Sequence, residues 1–143
     1  QGLMATVATI HLALLGQEGL ERVAAACHAN TRMLAEQACL IAGVARVFSE
    51  PFFHEVVLTF DLPVADVLRA MEAQGIMGGL DLTPWYPELG NALLVCATET
   101  KTQEDIRKFL ENLERIVSRR SSGPACTRLK PAADNPFYQN ADK

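Results

Sequence analysis

Residues 75–106 read GIMGGLDLTPWYPELGNALLVCATETKTQEDI, and the rest of the chain is arranged around them. The glycine-rich start, Gly75, Gly78 and Gly79, leads into a strand expected over residues 76–82. A stiff loop, Pro84-Trp85-Tyr86-Pro87, comes next. Residues 91–98 (NALLVCAT) then form the most apolar strand of the chain, and the unbroken run predicts a central strand buried on both faces. The strand ends in a polar corner containing Glu99, Thr100 and Lys101. Thr100 and Thr102 are helix N-cap candidates there, with Gln103 at capping-box distance from Thr100. A helix to about residue 119 follows, with Ile106, Phe109, Leu110, Leu113, Ile116 and Val117 as its apolar stripe.

Upstream, Pro63 opens a helix whose Val64, Val67, Leu68 and Met71 fall on one face and whose C-cap is Gly75. Residues 53–60 (FHEVVLTF) are rich in β-branched and aromatic side chains and predict a strand. Residues 44–48 predict a shorter one, with Glu50-Pro51 as the turn between. A helix over 17–41 places Leu20, Val23, Ala24, Cys27, Leu34, Ala38 and Ile41 on one face, and Gly43 stops it.

The first helix, 2–15, ends at Gly16 and is apolar nearly all round. Leu3, Val7, Ile10 and Leu14 form one stripe, and Met4, Ala5, Ala8 and Leu12 cover much of the rest. Such a helix has to be buried. A first helix in a small domain has little to bury both faces against. The expectation is a chain cut from a larger protein, with this helix packed on a missing domain or subunit. The alternative is burial within this domain or in a self-dimer.

The element order is therefore α-α-β-β-α-β-β-α. It predicts an α+β domain over residues 1–119, with helices covering one face of a small, mainly antiparallel sheet. From 120 to 143 the periodicity vanishes. Ser121 to Pro124 read as a linker, and only Leu129, Phe137 and Tyr138 can anchor an extended polar tail.

Composition narrows the function. The chain's 143 residues suffice for one domain with a core, and 49% hydrophobic residues exclude disorder for most of it. A net charge of −4 without a basic block argues against a nucleic-acid partner. The apolar run 5–15 is broken by Thr6, Thr9 and His11 and is too short to span a bilayer, so no membrane is expected. Cys27, Cys39, Cys96 and Cys126 have no framework spacing and read as reduced, buried thiols of a cytoplasmic protein.

The residues that carry chemistry elsewhere lack partners here. His11 lies on the apolar opening helix. His28 follows Cys27, but neighbours on a helix point about 100° apart and make a poor metal pair. His54 leads into a strand beside Glu55. There is no His-x3-His or Cys-x2-Cys spacing, so no metal site is expected. Cys96, mid-strand, reads as an inert core thiol. Gly75, Gly78 and Gly79 do not match a phosphate loop and read as a C-cap and a strand approached closely by another backbone or a ligand. Trp85 and Tyr86 either form a contact surface or simply cap the sheet. Lys101, Lys108, Lys130 and Lys143 all fall in polar settings, and no arginine stands between Arg69 and Arg107 to clamp a carboxylate. No catalytic set is evident.

The chain resembles the C-terminal domain of glycine decarboxylase, the P-protein of the glycine cleavage system. It is most similar to subunit 1 of the two-subunit form. The resemblance is carried by QGLMATVATIHLALLGQEGL at 1–20, by Phe52-Phe53-His54-Glu55-Val56 and by Gly75-Ile76-Met77-Gly78-Gly79. Tyr86-Pro87, residues 91–99 and residues 102–106 complete it. It covers about residues 1–118. The resemblance implies the small domain of the aspartate-aminotransferase-like fold of pyridoxal-phosphate enzymes. It also implies a parent that decarboxylates glycine and passes the aminomethyl group to the lipoyl H-protein. The cofactor would be bound through a lysine in the other subunit, and none by this fragment. The partners implied are subunit 2, the chain's own N-terminal large domain and, for the complex, the H-protein. His54 stands where the family's Phe-Phe-x-Glu pattern implies asparagine. No catalytic, cofactor or metal residue is carried over. Gly78, Gly79, Trp85, Tyr86, Glu99 and His54 are the candidates for an interdomain or partner surface. From another functional class, the residues also admit a stand-alone two-layer α/β regulatory domain with a small molecule at Gly78-Gly79.

Overall fold

The computed structural model describes residues 1–120; the expected tail, with Cys126, lies outside the described residues. The elements are α1 (Gly2–Ala38), β1 (Val44–Arg46), β2 (Glu55–Phe60), α2 (Val64–Glu72), β3 (Leu80–Asp81), a 3-10 turn (Pro87–Leu89), β4 (Ala92–Cys96) and α3 (Gln103–Arg120). The sheet order is β1-β2-β4-β3, every pair antiparallel. The α+β class and the expected order both hold. The two opening helices run together as α1, but Gly16 sits between them with φ 62 and ψ −175, a conformation no helix contains.

One face of the sheet is covered. Val56 opposes Val95 and Leu58 opposes Leu93. These four pack with Leu34, Ala35 and Ala38 of α1, Val64, Val67 and Met71 of α2, and Ile106, Leu110, Leu113 and Val117 of α3. The i, i+3, i+4 spacing of the helical residues turns each stripe onto the sheet.

Three local expectations are corrected. The strand expected over 76–82 shrinks to Leu80–Asp81, because Gly79 takes φ 139 and leaves the β region. β4 is central by pairing, between β2 and β3, but only one of its faces is covered. Leu94 is half-buried and Cys96 exposed, so Cys96 is not a core thiol; Cys39 is exposed too. The third correction concerns the capping box of α3: of the two cap candidates Thr102 caps the helix, and its partner is Asp105, whereas Thr100 and Gln103 form no box. The Asp105 N–H donates to Thr102 Oγ1 at 3.2 Å, and the Thr102 N–H and hydroxyl donate to Asp105 Oδ2 at 2.9 and 2.7 Å.

Those donors hold the Asp105 carboxyl below its ordinary value of 3.8. A folded-state value below the unfolded one gives stabilisation that is present above the unfolded value and lost as pH falls through the folded one. Thr102→Ala is expected to cost about 1 kcal/mol at neutral pH in urea denaturation. The difference from wild type should narrow in acid, as pH falls through the carboxyl's lowered folded-state value.

The first half of α1 lies outside this core. Leu3, Leu14 and Ile10 are 76%, 82% and 54% exposed. α1 is also the one described helix long and apolar enough to cross a membrane, with mean hydropathy 1.3 over its best window. A helix that packs on another protein surface meets the same measure.

Candidate functional site

At one end of the sheet, where β2 begins and β4 stops, the second half of α1 reaches over both strands. One turn of that helix supplies most of the polar contacts. Thr31 Oγ1 lies 2.9 Å from the Ala97 carbonyl and 3.1 Å from that of His54, and it accepts the Ala97 N–H at 3.1 Å. Asn30 Nδ2 donates to the carbonyls of Thr98 and Lys101, both at 2.9 Å. The Cys27 thiol donates to Glu99 Oε2 at 3.2 Å. On the other strand, His28 Nδ1 pairs with the Phe53 carbonyl at 2.9 Å, and its ring stacks on Phe53. His54 meets the Phe53 ring edge-on; its Nδ1 is buried without a hydrogen-bond partner among the described residues.

Next to this corner lies a cleft of about 720 Å³. One wall is residues 75–80, which leave α2 and enter β3. The opposite wall comes from Lys101, Asp105, Lys108 and Phe109, with Glu55 and Cys96 on the sheet side. The cleft exists because β3 pairs only as far as Leu94, so β4 beyond that residue has no neighbour on this side.

Of the candidate surface residues, His54, Gly79 and Glu99 come to this end of the sheet. Gly78 is buried, and a Cβ there would lie 2.7 Å from Leu68 Cδ2. A Cβ on Gly79 would lie 2.4 Å from the Leu94 carbonyl oxygen, so the close approach read from the sequence is that of a neighbouring backbone. Trp85 and Tyr86 are at the opposite end, 63% and 50% exposed. Backbone bonds from both residues to Leu82 O lock their loop. The candidate residues therefore fall at two separate ends of the sheet. The sequence reading missed Asn30 and Thr31. A polar residue set inside the apolar stripe between Cys27 and Leu34 was the signal available.

The described residues do not fit a complete pyridoxal-phosphate site. Lys101 and Lys108 are exposed, and Lys108 lies 3.8 Å from Glu104, whereas a Schiff-base lysine needs desolvation. The N-terminus of α3 is closed by its own cap and carries Glu104 and Asp105, which repel a phosphate.

The thiols differ in a testable way. Burial and the neighbouring Glu99 carboxylate push the Cys27 thiol up. Neutral alkylation of the folded chain should modify exposed Cys96 and leave Cys27 roughly tenfold slower or more, until urea exposes it. Peptide mass mapping over time reads this directly.

Comparison with known proteins places the chain. The model of the glycine cleavage system P-protein family matches residues 1–113. A probable glycine dehydrogenase (decarboxylating) subunit 1 of Thiobacillus denitrificans is 56% identical over 132 residues, 88% of this chain and 28% of that protein. The corresponding protein of Nitrosospira multiformis is 56% identical over 117 residues, covering 82% and 26%. The chain thus spans little more than a quarter of these relatives. Among solved structures, an inhibitor-bound glycine decarboxylase (P-protein) of the glycine cleavage system superposes with TM-score 0.68. It is 31% identical, over 75% of this chain and 24% of that one. With a family match over most of its length, and the same fold in a solved member, the chain belongs to the glycine cleavage system P-protein family.

Proposed function

We propose that this chain is the C-terminal small domain of subunit 1 of a two-subunit glycine decarboxylase, inert alone and active only in the assembled complex. The complex decarboxylates glycine and passes the aminomethyl group to the lipoyl arm of the H-protein. Pyridoxal phosphate is held through a lysine of the other subunit. The partners are subunit 2 and the large domain of the chain's own subunit, with no nucleic acid and no membrane, in the cytoplasm. The observation that carries this reading is the exposed apolar half of α1, a surface of the kind that marks a contact with another protein. The open second face of β4 supports it, because an apolar run on both faces calls for a cover on both.

Reconstitution tests the proposal. This chain, and separately the same chain extended upstream to full length, are mixed with the lysine-bearing subunit, pyridoxal phosphate and H-protein. Glycine–bicarbonate exchange is then followed. Exchange with the extended chain alone is the expected result. No exchange with either, together with tight binding of an amino acid by this chain, would favour a second reading. That reading is a stand-alone two-layer α/β regulatory domain with a small molecule in the cleft beside Gly79, and the size of that cleft is what speaks for it.

A further inference from the structure

The ladder between β2 and β4 ends at Glu55 opposite Cys96. The Phe60 N–H donates to Asn91 O, while the Leu82 N–H donates to Ala92 O. Odd-numbered residues of β4 therefore turn their backbone groups toward β2, and even-numbered ones toward β3. By that alternation the next pair, His54 and Ala97, would exchange backbone hydrogen bonds with each other. They do not, because Thr31 Oγ1 stands in the rung. It accepts the Ala97 N–H at 3.1 Å and has the His54 and Ala97 carbonyls at 3.1 and 2.9 Å, donating its one proton to either. Thr31 is 0% exposed and is the one buried polar residue among the described residues.

We infer that Thr31 is a positioning residue whose hydroxyl replaces a strand rung and holds residues 52–55 and residues 97–101 at a fixed separation. A valine of the same shape would fill the space as well. It would leave the Ala97 N–H unpaired or let the strands close on each other, and either result moves the corner. Asn30 then fixes the course of the corner through Thr98 and Lys101, and Cys27 fixes Glu99. The two segments so held carry His54 and Glu99. On the reading proposed above, on which only the activity half of the test rests, they are the face this domain presents within the complex.

The test compares Thr31→Val with Thr31→Ser. In this chain, Thr31→Val should displace the amide resonances of residues 98–101 and speed exchange of the Ala97 amide roughly tenfold. The Leu58 and Leu93 amides should stay as they are, and Thr31→Ser should restore the wild-type pattern. Unchanged resonances and exchange in Thr31→Val would overturn the inference. Should that variant fail to fold, Thr31→Ala removes the same hydroxyl with less bulk, and unchanged resonances at residues 98–101 with unchanged exchange of the Ala97 amide would likewise overturn it. In the full-length subunit assembled with its partner, Thr31→Val should lower kcat for glycine–bicarbonate exchange by about tenfold with KM for glycine held, and Thr31→Ser should recover it. Full kcat in a Thr31→Val complex whose corner has moved would overturn the role of that face in activity. A wild-type complex without exchange would instead sink the proposed function, and the amide measurements would still decide what Thr31 does.

Discussion

Gly79→Ala is expected to destabilise the chain by about 3 kcal/mol or more, as strain and steric overlap act together. The residue has φ 139, and a Cβ would stand 2.4 Å from the Leu94 carbonyl oxygen and 3.1 Å from Val95 Cγ1. The side chains could give way; the carbonyl cannot, because Leu80 opposite Leu94 is part of the short pairing that joins β3 to β4. Alanine therefore forces β3 off the sheet and takes the wall of the cleft with it. Gly75→Ala is the control. It also has a positive φ, 71, but no heavy atom lies within 4 Å of its Cβ position, so strain alone should cost about 1 kcal/mol. Urea denaturation of both variants measures the difference. Equal midpoints would show that β3 does not lie against β4 as described.

The second large effect concerns assembly. Val7→Glu combined with Ile10→Glu should leave the stability of this chain within about 0.5 kcal/mol of wild type, since both side chains are about half exposed. On the function proposed above, the same pair in the full-length subunit should weaken association with the partner, or docking on the subunit's own large domain, by roughly a hundredfold. Two carboxylates would be desolvated against an apolar surface with nothing to pair them. Sedimentation with the lysine-bearing subunit reads the first, and limited proteolysis of the free subunit reads the second. A variant that assembles normally would mean that this stripe lies in solvent in the complex.

Much of the architecture was legible in the residues. The stripes of α2 and α3, the break at Gly16 and the strand 55–60 each follow from one periodicity and one terminator, which are local properties. β3 was harder, because its length depends on how closely Gly79 approaches a strand some fifteen residues on, and no local pattern encodes that distance. Cys96 was misplaced for a related reason. An apolar run on both faces was read as burial on both, whereas the described residues cover only one face. The polar corner was only half visible. Glu99 and His54 stood out as charged or ionisable residues, but the groups that hold them, Thr31 and Asn30, belong to a helix more than sixty residues away from β4's end. Side chains that bond to distant backbone leave no sequence signature beyond a polar residue in an apolar stripe.

The conformation of Gly16 has a mechanical consequence. The residues before it form a straight rod of about 20 Å at 1.5 Å per residue, joined to the body through one pair of backbone dihedrals. A change of ten degrees there would sweep the far tip by about 4 Å on that length. That distance exceeds the tolerance of a packed interface, yet the change leaves every contact of the core untouched. Where the rod comes to rest is thus set by torsion at a single residue, separately from whether the domain is folded. A substitution beside that one glycine could therefore re-aim the rod without repacking the sheet.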